Sequence, residues 1–473
     1  MKRTGPLLAS LVVFLLSLFT TATAQNSTAN ISVLFSFPCD SSGVCPDGYF
    51  PYSLTEGADG NLYGVAVGGG TGLNAQGTVF KITPSGQFTL IYSFAEMSDG
   101  SLPFGASPER VLEGTDGFLY GSALVDGAFG WGTIFKLSKS GVIQDLHDFC
   151  STLTCTDGAS PSFLSQALDG NLYGVTANLP PTAVLYRLST AGAFKVLHTF
   201  DTGTQLDGTG VFNFIQAPDG NFYGTTVAGS QSKTFNTVFR FTPGTDTYKI
   251  LHSFNLPNVA QSGLVLASSG ELFGLQTNSN LYQISLAGAY KEIGPVSTTK
   301  FADGHILQAS DGNLWGDFVG GDCGDQGIVF AATTAGSVLQ NVVFNCNTDG
   351  QQVGSMIQAA DGKFYGVTSG NGGASTNSIT NGTIWSIDAG LPPPVPHVVN
   401  FFPTTGAVGT TVLLQGAHFV GTTAVSVNGV NATFKLLTAN YISLTIPSGA
   451  TTGKITVANA GGKTTSAKSF TVQ

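Results

Sequence analysis

Few residues in this chain could do acid–base or metal chemistry, and the pattern around them decides how each is read. Of six histidines, only His305, two residues after Asp303, is expected at a channel-facing loop with an acidic neighbour, the least arrangement in which an acid could orient an imidazole as a general base. Glu109-Arg110 is a second charged pair that recurs nowhere else, placed by its surroundings in a long loop. A catalytic reading has to use these three residues, and a solvated charge is the plain alternative for each. His147, His198 and His252 share one repeated position that is Tyr92 in another copy, which marks them as strand residues. His397 and His418 fall in the C-terminal segment, outside the repeats.

The aspartates are more regular. Asp47, Asp99, Asp157, Asp207, Asp303 and Asp349 each precede a glycine at corresponding points of six copies, with Ser262-Gly263 in the seventh. Turned toward a common axis, these side chains would attract a cation such as calcium. Alternatively each caps a turn by accepting backbone N–H groups, with glycine taking the left-handed residue. Six cysteines read as three disulfides in an exported chain. Spacing pairs Cys39 with Cys45 and Cys150 with Cys155, leaving Cys323 and Cys346. The rival, zinc on free thiols, lacks a CxxC pair with a nearby histidine.

The elements that carry these residues follow from an internal repeat. DGNLYG at 59 recurs as DGFLYG at 116, DGNLYG at 169, DGNFYG at 219, SGELFG at 269, DGNLWG at 311 and DGKFYG at 361. Each is followed by a strand-like partner such as GTVFK at 77 or GTIFK at 132. Most partners lead to a third pattern such as FKVLHTF at 194 or YKILHSF at 248. The third pattern is missing after the last copy, yet ISVLFSF at 31 precedes the first. The pieces balance only if the repeat is circular. The spacing therefore predicts an all-β, seven-bladed β-propeller of four-stranded blades over residues 25–390, with Ile31–Phe37 completing the last blade. Asp-Gly predicts a tight two-residue hairpin between the first two strands of each blade. The motif aromatics Tyr63, Tyr120, Tyr173, Tyr223, Phe273, Trp315 and Tyr365 are expected to pack between blades rather than to stack on a ligand.

The ends of the chain set its expected compartment. Lys2 and Arg3, the apolar run Leu7–Phe19 and Ala22-Thr23-Ala24 read as a signal peptide over 1–24, with Gln25 as the mature start. With 63 glycines and 10% charged residues, the chain is unlike a helical enzyme. The formal charge of −10 becomes −12 once Lys2 and Arg3 are removed. After Pro392 there are four lysines and no acid, so the negative charge lies in the repeats. Acidity there argues against nucleic acid and against anionic membranes, and no second apolar run follows to insert into a bilayer.

Residues 391–397, including PPPVP, are expected to form a stiff spacer. Beyond them FFPTTGAVGTTVLLQGAHF at 401, VSVNGVNATF at 425, IPSGATTGKITVANAGG at 446 and SFTVQ resemble an IPT/TIG domain, which implies an immunoglobulin-like sandwich over 398–473 used for spacing or protein contact. The seven turn motifs resemble the bacterial GloVer tandem-repeat family, which implies an extracellular repeat protein and supplies no catalytic residues. The function expected is a secreted, non-enzymatic binding or adhesion scaffold that meets extracellular carbohydrate or protein through loops on one propeller face. The rival is an extracellular propeller enzyme, a polysaccharide lyase, glycosidase or lactonase, resting on fold analogy.

Overall fold

The computed structural model describes residues 29–152, 154–177, 183–200, 207–208, 210–227, 236–254, 260, 262–297, 305–318, 327–345, 347–370 and 382–473. Among these residues there is no helix. The first sheet is an antiparallel meander of Tyr49–Glu56, Leu62–Gly68, Thr78–Ile82 and Phe88–Ser93. Five further meanders begin at inner strands Ala106–Glu113, Pro161–Gln166, Gly210–Gln216, Val265–Leu266 and Ile306–Gln308. A last four-stranded sheet runs Gln351–Gln358, Phe364–Gly370, Thr383–Asp388 and then Asn30–Ser36. The register of that final pairing, from Asn30 opposite Asp388 to Ser36 opposite Thr383, joins the two ends of the repeat region.

The Asp-Gly turn has a different form from the two-residue hairpin its composition suggests. Gly57 N–H donates to the carbonyl of Asn61 and Gly60 N–H to that of Gly57, which makes a three-residue loop. Only Gly60 has positive φ, at 72°. Asp59 has no positive φ, and its carboxylate accepts the Asn61 N–H at 3.2 Å and the Tyr63 hydroxyl at 2.8 Å. The same aspartate–tyrosine bond recurs at Asp116 with Tyr120, Asp169 with Tyr173, Asp219 with Tyr223 and Asp361 with Tyr365. Where Ser269 replaces the acid, Phe273 replaces the tyrosine, so neither half of the pair is left buried without its partner. The glycine after each aromatic has its own cause: a Cβ on Gly64 or Gly224 would overlap Phe80 or Phe239 of the adjacent strand.

Packing joins each sheet to the next. Tyr63 is buried with Val111, Leu119 and Phe135 of the second sheet, and Tyr120 with Leu164, Leu172 and Tyr186 of the third. Phe37, Leu54 and Phe80 pack with Ala359, Tyr365 and Ile384, linking the last sheet to the first. Truncating one of these large buried rings costs about 3–5 kcal/mol in comparable cores.

The C-terminal segment is a sandwich of two sheets. One contains His397–Phe402, Thr411–Ala417, Tyr441–Thr445 and Thr433–Thr438; the other contains Gly462–Val472, Gly453–Asn459 and Ala424–Val427 with two short edge strands. Phe401, Leu414, Ile442, Ile455, Val457 and Phe470 fill the space between them. The proline-rich stretch is not a free spacer. Ser310 Oγ donates to the Pro392 carbonyl at 2.7 Å, and a Cβ on Gly362 would lie 2.5 Å from the Leu391 carbonyl oxygen. The sandwich reaches the opposite side of the turn face: Tyr441 OH donates to the Gln166 carbonyl at 2.7 Å, Gln415 Nε2 to Gln216 Oε1 at 2.9 Å, and Lys468 Nζ to the Pro218 carbonyl at 3.3 Å. The stretch expected as a stiff spacer is thus tied on both sides, its Pro392 carbonyl by Ser310 and its Pro394 carbonyl by Asn459 Nδ2 of the sandwich at 3.0 Å.

Candidate functional site

The inner strands end in a belt of side chains that cross from sheet to sheet. Glu113 Oε2 accepts the Ala58 N–H at 2.7 Å, Gln166 that of Thr115 at 2.9 Å, and Gln216 that of Leu168 at 3.3 Å. Gln308 accepts from Ser268 at 2.7 Å and Gln358 from Ser310 at 2.8 Å. Glu56 accepts the Ala360 N–H at 3.0 Å, which carries the belt from the last sheet to the first. The four glutamines also donate from Nε2 to the turn glycine of their own sheet. One link is absent for a chemical reason on both sides. Pro218 occupies the donor position and has no N–H, and Leu266 occupies the acceptor position.

Between this belt and the C-terminal sandwich lies a cleft of about 560 Å³, lined by Glu56, Leu307, Gln308, Met356 and Gln358 on the ring side. His397, His418, Asn440 and the stretch Pro394–Pro396 line it from the other side. His397 pairs with Ala417 across two strands, so His418 follows directly beside it. Burial depresses both imidazoles below the usual histidine range, and His418, further opposed by the charge of His397, falls to about 4. Burial pushes the Glu56 carboxyl up to about 7, against the stabilising Ala360 N–H. A smaller cavity of about 120 Å³ shares Thr55, Glu56, Ala439 and Asn440 and extends to Arg110.

Of the residues singled out in the sequence, Arg110 borders the smaller cavity, and Glu109 and His305 line neither. Glu109 and Arg110 are on the inner strand Ala106–Glu113 and not in a loop, because a β-bulge between Pro108 and Arg110 lets the strand accommodate both. Glu109 accepts a hydrogen bond from Tyr52, and burial pushes its carboxyl up to about 7. The Arg110 guanidinium lies 4.4 Å from the Phe163 ring centre of the next sheet. His305 precedes the sixth sheet's inner strand; its N–H donates to Asp317 Oδ1 at 2.9 Å, and Nδ1 lies 3.6 Å from the same oxygen. The carbonyls of Arg110 and His305 both face a motif glycine, Gly121 and Gly316, so the two residues hold one repeat position on separate sheets.

The repeated aspartates engage their own surroundings. Asp99 accepts from Ser101 N and Oγ at 3.0 and 2.6 Å, and Asp349 from Asn345 N and Thr348 Oγ1, both at 2.9 Å. Asp157 bonds the Cys150 N–H at 3.1 Å and His147 Nε2 at 3.2 Å, and Asp207 bonds His198 Nε2 at 2.8 Å. The Asp47 carbonyl accepts from Thr78 Oγ1, and burial raises its carboxyl above the usual range. Among the described residues no group of three or more His, Cys, Asp or Glu is placed to hold a metal ion. His147, His198 and His252 stack on Phe194, Tyr248 and Tyr290 with ring centres 3.9, 3.9 and 3.8 Å apart. Cys39 bonds Cys45, and Cys150 bonds Cys155. Asp303, Cys323, Cys346 and the expected signal peptide lie outside the described residues.

Residues 107–291 match the Gloeobacter/Verrucomicrobia repeat, and residues 396–472 match the IPT/TIG domain. The chain carries Gloeobacter/Verrucomicrobia repeats and an IPT/TIG domain. The repeat match spans the second to fifth sheets, and the first, sixth and last sheets carry the same turn motif. No curated protein matches the chain. Among solved structures, a streptogramin B lyase is 14% identical at a TM-score of 0.50, over 76% of this chain and 98% of that one. A fungal alcohol oxidase of the AA5 family in complex with copper is 12% identical at 0.51, over 94% and 100%. The extracellular domain of a protein assigned as a hybrid two component system of B. thetaiotaomicron is 12% identical at 0.51, over 90% and 53%. At such identities the likeness is one of fold. It agrees with blade-like sheets of a β-propeller followed by the IPT/TIG sandwich of this repeat protein.

Proposed function

We propose that this chain is a secreted, closed seven-bladed propeller that works as a non-enzymatic binding scaffold, meeting extracellular carbohydrate or protein through its loop face. The observation that carries the reading is the division of labour between the two faces. The uniform turn face is occupied by the C-terminal sandwich through Gln166, Gln216 and Pro218. The face left for a partner bears the loops that vary from blade to blade, and two of these are tied by Cys39–Cys45 and Cys150–Cys155. Loops held on a rigid ring are the usual place for recognition. Closure is supported by the Asn30–Ser36 pairing and by the Ala360-to-Glu56 bond. Disulfides and likeness to the extracellular domain of a two component system protein support an extracellular setting.

Glycan-array binding by the purified full chain, repeated after replacing residues 40–44 with a Gly-Ser loop, tests this. Binding that drops at least tenfold on loop replacement is expected. Turnover of a polysaccharide or lactone that disappears in Glu109→Ala or His305→Ala would replace the scaffold reading with the enzymatic one.

A further inference from the structure

The cleft under the ring is rich in hydrogen-bonding groups and poor in fixed charge. Among its lining residues there is no lysine, arginine or aspartate, and Glu56 is the one acid. His397 and His418 both line the cleft, and each is half-buried. We propose that this cleft binds an uncharged polyhydroxy compound of one or two sugar rings, held by His397, His418 and Glu56.

The chemistry of the lining excludes the alternatives in turn. An anionic ligand would meet no counter-charge and would lie against Glu56. A strongly cationic one would rely on that single carboxyl, whose ionised form burial already disfavours. An uncharged sugar suits both kinds of surface. Each neutral imidazole offers one donor and one acceptor, as a hydroxyl requires. Val265, Leu307, Met356 and Val395 supply an aliphatic wall for the C–H face of a ring. A volume of about 560 Å³ lies within the range of small-molecule sites, and domain interfaces are where such sites concentrate. This site lies on the turn face, opposite to the loops of the proposed scaffold, so the two readings can fail separately.

Isothermal titration of the full chain at neutral pH with glucose, galactose, xylose, maltose and cellobiose tests the proposal, with glucuronate and glucosamine as charged counterparts. Ser268→Trp fills the cleft from an exposed turn position and Thr464→Trp fills it from the sandwich, while His397→Asn removes one imidazole. At least one neutral sugar should bind, at least tenfold more tightly than its charged counterpart. Each variant that keeps the parent's unfolding transition should weaken it tenfold or more. No binding at about 10 mM sugar, equal binding of charged and neutral sugars, or undiminished binding in both tryptophan variants would overturn it. Sugar binding that survives both tryptophans and disappears on replacing residues 40–44 would support the loop-face scaffold and reject this cleft.

Discussion

At the residue scale, Glu56 is an acid at a position that is uncharged in every other sheet but the second, where Glu113 stands. Four other sheets place glutamine at the same position, where the amide both accepts the neighbouring N–H and donates to its own turn. Glu56 does the first of these, and burial raises its pKa from 4.5 to about 7. A carboxyl whose folded pKa is raised leaves its stabilisation intact below about 4.5 and loses it as pH climbs through 7. Glu56→Gln should therefore stabilise the protein by about 2 kcal/mol at pH 8 and by almost nothing at pH 5, read from urea unfolding at the two values. An equal gain at both pH values would show that the carboxyl is not destabilised by ionisation. His418 acts in the opposite direction, since a depressed imidazole loses stability as pH falls from 6.5 toward 4. The acid and the imidazoles thus favour an intermediate pH for the cleft.

At the scale of elements, the repeat is strict where short-range geometry demands it and relaxed where two positions can change together. Asp59 with Tyr63 is one coupled pair, and Ser269 with Phe273 is its apolar replacement. Pro218 with Leu266 is another, breaking the belt between the fourth and fifth sheets. The gap is bridged higher on the strand, where Asn213 Oδ1 accepts the Leu264 N–H at 3.1 Å. Restoring the belt with Pro218→Ala and Leu266→Gln together should raise stability by about 1 kcal/mol. Leu266→Gln by itself should give no gain, because the facing proline has no N–H to offer. A double-mutant cycle in chemical unfolding measures that coupling, and additivity of the two changes would argue against a shared bond.

At the scale of the whole molecule, two long-range connections hold the structure together. Deleting residues 29–37 removes the outer strand of the last sheet and the Phe37 ring buried between that sheet and the first. The truncated chain should lose the cooperative transition of the ring and expose the free edge of Thr383–Asp388 to aggregation. A native melting transition in that variant would contradict circular closure. Ending the chain at residue 390 is the complementary cut. It should leave a folded ring of lower melting temperature, with faster amide exchange at the turns around Gln166, Gln216 and Ser310. Unchanged exchange there would mean that the sandwich does not rest on the turn face.

The repeats could be read from the chain because each rests on short-range causes: an Asp-Gly turn, a tyrosine four residues after the acid, and strand alternation. Circularity was legible too, since an unmatched outer strand at one end and a missing one at the other admit a single pairing. Histidines 147, 198 and 252 could be set aside for the same reason, as a shared position marks shared packing. The loop assignment of Glu109 and Arg110 failed because a β-bulge adds a residue to a strand without any change of composition. The cleft was not legible in the repeats. Glu56 reads as a strand end and His397 and His418 as parts of another domain until Gln415 meets Gln216, 199 residues away. Contacts at that separation depend on how two finished surfaces fit, and no local pattern of residue types encodes that fit.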